Sequence, residues 1–152
     1  MCSPHTGEHS ITTEEVSLFH EAGHAVASWR LRVPFKYVTV SERGNYVEPD
    51  VRYVSFRREA IERVILALLA GEAAQRMMAP TSRFGGHQDY RNARWYARLI
   101  AKDPAERRRL LKQLKARAQK LVADHQDDIE FLALHLALEG TLSAKRVRML
   151  LK

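Results

Sequence analysis

The chain has 152 residues, 45% hydrophobic and 28% charged, which suits one folded domain and excludes a disordered chain. A single cysteine, Cys2, excludes an intrachain disulfide and any multi-cysteine zinc knuckle. Lys and Arg outnumber Asp and Glu 25 to 18, a net charge of +7 that raises nucleic acid as a partner to be weighed.

The opening residues, MCSPHTGEHS, hold no apolar core and do not read as a signal peptide. Residues 1–12 are expected to form a flexible segment in which His5 and His9 are solvated. Thr12-Thr13-Glu14-Glu15 has the form of a capping box, with Thr12 as N-cap and Glu15 three residues on. A helix is predicted from there to about Leu31, with Val16, Phe19, Gly23, Val26 and Ala27 as its buried stripe. Pro34 prevents continuation. Phe35 to Val40 is β-branched and aromatic and predicts a strand; Glu42-Arg43-Gly44-Asn45 is turn chemistry; Val51 to Phe56 alternates and predicts a second strand.

Arg58 to Met78 predicts a core helix, strongly apolar around Val64 to Ala70. Gly71 sits inside it at a cost in helix stability, which predicts close packing against a neighbour. Pro80 and Gly85-Gly86 bracket a loop, and a further helix runs from near His87 to Lys102. Asp103-Pro104 is an N-cap followed by proline at the first helical position, opening a helix to about Ala123. Residues 127–139 form another, ended by Gly140, and Ser143 caps a short last one. The longest apolar run, Val64 to Gly71, is far short of the ~20 residues a membrane helix needs, so no membrane segment and a cytoplasmic location are expected. The fold class is α+β, a mostly helical single domain with a small sheet packed on the first helix.

The charge is unevenly placed. Arg107-Arg108-Arg109, Lys112, Lys115, Arg117 and Lys120 alternate with Leu110, Leu111, Leu114, Ala118, Leu121 and Val122 at helical spacing, so they read as a solvated helix face. No zinc-finger, RNP or glycine-loop motif accompanies them, and nucleic acid is the disfavoured partner.

One stretch carries chemistry. His20-Glu21-Ala22-Gly23-His24 is an H-E-x-x-H arrangement. Residues four apart on a helix share a face, so His20 and His24 can offer imidazole nitrogens to one ion. Glu21, one step round, stands beside the ion and can take a proton from an attacking water. Two histidines do not complete a site, and His87, Asp89, Glu72, Asp50 and Glu48 are further donors in the chain.

The residues that follow carry a resemblance. His20 to Val26, HEAGHAV, is similar to the signature of FtsH-type zinc metallopeptidases. Pro34 to Val40 with Arg43-Gly44 resembles that family's next strand, and Leu69 to Gln75, LAGEAAQ, a later helix. Gly85 to Ala93, GGHQDYRNA, resembles the segment bearing its third ligand, and Leu132-Ala133 to Leu142-Ser143 its closing helices. The similarity spans roughly residues 14 to 151, with residues 13–152 as the peptidase-like domain.

The resemblance implies one Zn²⁺ per chain on His20, His24 and Asp89, with Glu21 as general base. His87 stands beside Asp89 as an alternative ligand. Gln75 occupies the place of a family carboxylate that supports a ligand from behind. The implied function is an ATP-independent zinc metalloendopeptidase acting on unfolded or flexible polypeptides, the substrate held as an added strand along Tyr37, Val38, Thr39 and Val40. The family's membrane segment and ATPase have no counterpart here, since no G-x-x-x-x-G-K-[ST] loop is present, so a folded substrate would need a separate unfoldase. The competing function is a catalytically silent metal-binding regulatory or adaptor domain.

Overall fold

The computed structural model describes residues 11–41, 44–50, 55–82 and 87–152. Its elements in order are α1 (Thr13–Leu31), β1 (Phe35–Ser41), β2 (Gly44–Pro49), α2 (Arg58–Met78), α3 (His87–Ile100), α4 (Pro104–Asp124), α5 (Gln126–Glu139), β3 (Thr141–Ser143) and α6 (Ala144–Leu150). The domain is mostly helical α+β, as its composition and periodicity predict.

Local chemistry sets the helix boundaries. At α1 the capping box is complete: Thr12 Oγ1 accepts from the Glu15 backbone N–H, and Glu15 accepts from the Thr12 N–H. Asp103 caps α4 by accepting from the Ala105 N–H at 3.2 Å, and Ser143 caps α6 by accepting from the Arg146 N–H at 3.0 Å. Gly140 ends α5 at a φ of 75°, a conformation glycine adopts without steric cost.

The α1 helix is the axis of the fold. Every residue from Glu21 to Ser28 is buried, a wider burial than the single stripe its sequence predicts. The cause is packing on several sides: α2 lies against it, while α5 and the sheet also pack on it. The backbones of α1 and α2 approach closely through small residues. A Cβ at Gly23 would lie 2.8 Å from the Ala70 carbonyl oxygen, which no side chain could tolerate unshifted. One apolar core joins α1 to the sheet, α5 and α6 through Val26, Val38, Leu132, Leu142 and Val147. A second joins α2, α3 and α4 through Ile65, Leu69, Ala93, Ala97 and Leu114.

The sheet is antiparallel with strand order β2-β1-β3. Two sequence expectations change here. Gly44 and Asn45, expected in a turn, belong instead to a strand, Gly44–Pro49, that pairs with β1. Of the predicted Val51 to Phe56 strand, residues 51–54 lie outside the described residues, as do 1–10 and the expected Gly85-Gly86 turn; Ser55 and Phe56 are not in a strand. Tyr37, Val38 and Thr39 also cannot pair with an added strand. They belong to the central strand, bonded to Glu48, Val47 and Tyr46 on one side and to Ser143, Leu142 and Thr141 on the other. Val40 is closed in the same way, pairing with Asn45 and donating its N–H to the Gly140 carbonyl at 2.9 Å. No helix of the described residues is long and apolar enough to cross a membrane.

Candidate metal centre

Three elements meet at one point. From α1 come His20 and His24, one turn apart; from the first turn of α3 comes Asp89; from α2 comes the support behind them. The His20 and His24 Nε2 atoms are 3.1 Å apart, and each lies 3.0 Å from Asp89 Oδ2. His87, the other donor at the α3 start, is exposed and outside this cluster. Glu72 is tied up with Arg76 at 2.7 Å, and neither Asp50 nor Glu48 joins the group.

The backs of the two imidazoles fix which atoms face the centre. His24 Nδ1 donates to the Ala67 carbonyl oxygen at 2.8 Å. His20 Nδ1 donates to Gln75 Oε1 at 3.0 Å. With both Nδ1 protons committed, each neutral ring turns an Nε2 lone pair inward. Two lone pairs and a carboxylate oxygen then face one another, and none can satisfy another without a cation between them. Their separations are close to the edge of about 3.3 Å expected between ligands of a tetrahedral ion with bonds near 2.0 Å. The donor set therefore fits a metal, and His20, His24 and Asp89 can hold one.

Where protons alone fill the centre, the electrostatics follow the same logic. Burial opposes charge on His24, yet the hydrogen bond and charge of Asp89, with the charge of Glu21, push its imidazole up to about 9. Burial would raise Asp89, but hydrogen bonds from His20 and His24 hold it well below the usual carboxylate range.

Gln75 is buried and doubly engaged. Its Oε1 accepts from His20 and its Nε2 donates to Ser82 Oγ at 2.9 Å. An amide carbonyl accepts a hydrogen bond at this position as a carboxylate would, so the tautomer and orientation of His20 are retained with glutamine in place. Gly71 completes the seat. A Cβ there would run into the His24 ring, so only glycine leaves room for the imidazole against α2.

Glu21 lies beside the centre and does not join it. It is buried, and among the described residues its Oε2 has no hydrogen-bond partner. Burial pushes its carboxyl up; the positive charges of His24 and His20 offset part of this and Asp89 adds to it. A buried carboxylate oxygen without a donor costs free energy, and a position that keeps such a group calls for a reason, of which proton transfer at the neighbouring centre is one.

The centre opens into a cleft of about 680 Å³. Gln88, Asn92, Trp95 and Tyr96 of α3 form one wall, and Val33, Phe35 and Val47 face them from the sheet side. Tyr37, Val38, Thr39 and Val40 do not line it, and Val38 is fully buried. Sequence reading missed Ala67, Ser82 and Trp95. The first acts through its backbone carbonyl and carries no sequence signal. Trp95 has one: with Gln88, Asp89 and Asn92 it falls on one helical face. No family model matches this chain, and no curated protein does.

Proposed function

We propose that this chain is a metal-dependent peptide hydrolase, a zinc metalloendopeptidase domain similar to those of the FtsH type. One observation carries the reading. Three inward-facing ligand atoms stand beside a buried carboxylate whose Oε2 has no hydrogen-bond partner among the described residues, at the head of an open cleft. Three protein ligands leave a position for a reactant, as catalytic zinc sites require.

A bound divalent ion would supply Lewis acidity toward the scissile carbonyl oxygen and sharpen the acidity of water. Glu21 then takes a proton from the attacking water as its oxygen bonds to the carbonyl carbon, and passes that proton to the departing amine as the C–N bond breaks. Asp89 and the two imidazoles, held from behind by Gln75 and Ala67, fix the ligand positions.

The substrate strand is assigned to β2 instead of β1. Among the described residues no strand covers the outer edge of β2, and its Val47 lines the cleft. An extended, unfolded polypeptide fits such an edge, while a folded one would first require an unfoldase.

The test is metal analysis of the purified protein together with cleavage of casein. About one zinc per chain and slow, chelator-sensitive proteolysis are expected. Glu21→Gln should keep the metal and lower cleavage by ~10²–10⁴-fold, the usual worth of a positioned base. Full activity in that variant would refute the assignment. Stoichiometric metal with no hydrolysis of any peptide would leave a metal-binding regulatory domain as the better description.

A further inference from the structure

The charge of this protein is concentrated in one part of it. Residues 57–120 hold sixteen Lys and Arg against six Asp and Glu; the rest of the chain holds nine against twelve. Part of the excess forms an ordered patch. On α3, Ala93 and Ala97 face the core, while Gln88, Asn92 and Trp95 face the cleft. Arg91, Arg94 and Arg98 occupy the remaining, exposed face at i, i+3 and i+7. On α4, Leu110, Leu111, Leu114 and Ala118 face the core, and Arg108, Lys112 and Lys115 share an exposed face at i, i+4 and i+7. The two helices pack on one another, and Tyr90 of α3 and Lys115 of α4 meet at one small depression lined also by Leu69, Glu72 and Arg76 of α2.

These six cations have no acidic partner among the described residues. The ion pairs nearby use other side chains: Glu62 takes Arg58 and Arg117, Glu72 takes Arg76, and Asp124 takes Lys120. Six like charges on two packed helices repel one another, and each keeps its attraction for an outside anion. The patch is also tied to the cleft. The helix that presents three of the cations supplies Asp89 to the centre and Trp95, 53% exposed, to the cleft lip.

We infer that the α3–α4 face is a docking surface for an acidic stretch of the polypeptide substrate, lying beside the segment to be cut. The inference rests on the peptidase reading above. Position favours a peptide over other polyanions, because charge at the lip of a cleft acts on whatever is entering it. A helix is about 10 Å across. A peptide extended at ~3.3 Å per residue crosses it in about three residues, so the acidic stretch begins some three residues from the cleaved bond. Steering of this kind raises association rates by ten-fold or more and fades with salt.

The experiment uses two fluorogenic peptides with the same apolar core, one extended by six glutamates and the other by six serines. At low ionic strength the acidic peptide should show at least ~10-fold higher kcat/KM, and 1 M salt should erase the difference. The triple substitution Arg94→Gln, Arg98→Gln and Lys112→Gln should lower kcat/KM for the acidic peptide toward that of the serine peptide, which itself stays unchanged. Equal cleavage of both peptides by the wild type would overturn the inference while leaving the peptidase reading intact. Binding is read separately by fluorescence anisotropy with the Glu21→Gln protein. Charge-dependent binding of the acidic peptide, lost in the triple variant, supports the surface even if no peptide is cleaved and the peptidase reading fails. A single-stranded oligonucleotide of equal charge that binds more tightly and displaces the peptide would overturn the inference in favour of nucleic acid.

Discussion

Gly71→Ala is a small change with a large expected consequence. The added methyl carbon would lie 2.5 Å from His24 Cε1 and 2.7 Å from its Cδ2. Unbonded carbons prefer about 3.5–4.0 Å, so the ring must retreat by about 1 Å. It cannot do so freely, because Nδ1 is held by the Ala67 carbonyl and Nε2 must stay with His20 and Asp89. Two opposing terms act on the fold. Overpacking costs about 1–3 kcal/mol, and replacing a helical glycine by alanine returns about 1 kcal/mol. The net effect on the metal-free protein is a loss of about 0–2 kcal/mol, or a few degrees in Tm. The metal centre has no such compensation. Displacing a ligand by about 1 Å exceeds what is lost with a supporting hydrogen bond, itself worth about 10–100-fold in affinity.

The assay is competitive metal titration against a chromophoric chelator, run beside thermal unfolding of the metal-free protein. Metal affinity should fall by at least about 10-fold while the metal-free protein unfolds within a few degrees of wild type. Gly23→Ala is the control with the opposite signature. Its methyl would press on the Ala70 carbonyl and the Ala74 side chain between α1 and α2, so it should lower Tm first. Wild-type metal affinity in a folded Gly71→Ala protein would refute the proposed seat of His24.

Three further outcomes follow from the same geometry. Gln75→Leu removes the acceptor for His20 Nδ1 and the donor to Ser82, and should weaken metal binding about 10–100-fold, whereas Gln75→Glu should retain it; the chelator titration decides. Asp89→Asn should cost at least about 10-fold in metal affinity and His87→Ala much less, and equal losses would mean that Asp89 does not close the site. In the metal-free protein, His24 is raised from 6.5 to about 9, so its contribution to stability is complete below pH 6.5 and fades as pH rises through 9. Asp89 is lowered from 3.8, so its contribution is present above that value and is lost as pH falls below it. Metal affinity should run the other way from the first of these, rising toward pH 9 as the competing proton leaves, and a titration across pH 6–9 that shows no rise would contradict the shared centre.

The parts of this structure that sequence revealed are those whose determinants are local. Thr12 and Glu15 cap α1 within one turn, and Asp103 and Ser143 cap α4 and α6 the same way. Gly140 stops α5 because glycine takes a φ of 75° without strain. The His20–His24 spacing sets two imidazoles on one face because a helix allows no other relation between them. Gly71 was also legible in part: an unfavoured glycine in a helix signals a close neighbour, but nothing in its own segment names His24, 47 residues earlier in the chain, as that neighbour.

Misreadings cluster where a residue's role depends on what the chain brings to it later. Gly44-Asn45 reads as turn chemistry, yet both residues belong to β2, because the pairing with β1 runs from Ser41 opposite Gly44 and draws them into the strand. Phe35 to Val40 reads as a strand from its β-branched and aromatic content, and content cannot say whether a strand is central or at an edge. That is decided about a hundred residues on, where Thr141–Ser143 pairs with Tyr37–Thr39 and closes the second side. The same distance effect governs the cleft. Its walls come from α1, the α1–β1 connection, the start of β1, β2, α2 and α3, six places in the sequence that share no motif. Chemistry concentrated in HEAGH could be read from a few residues. A surface that could choose a substrate is assembled only by the fold, and β1, the strand expected to hold one, is closed on both sides by pairings its own residues do not announce.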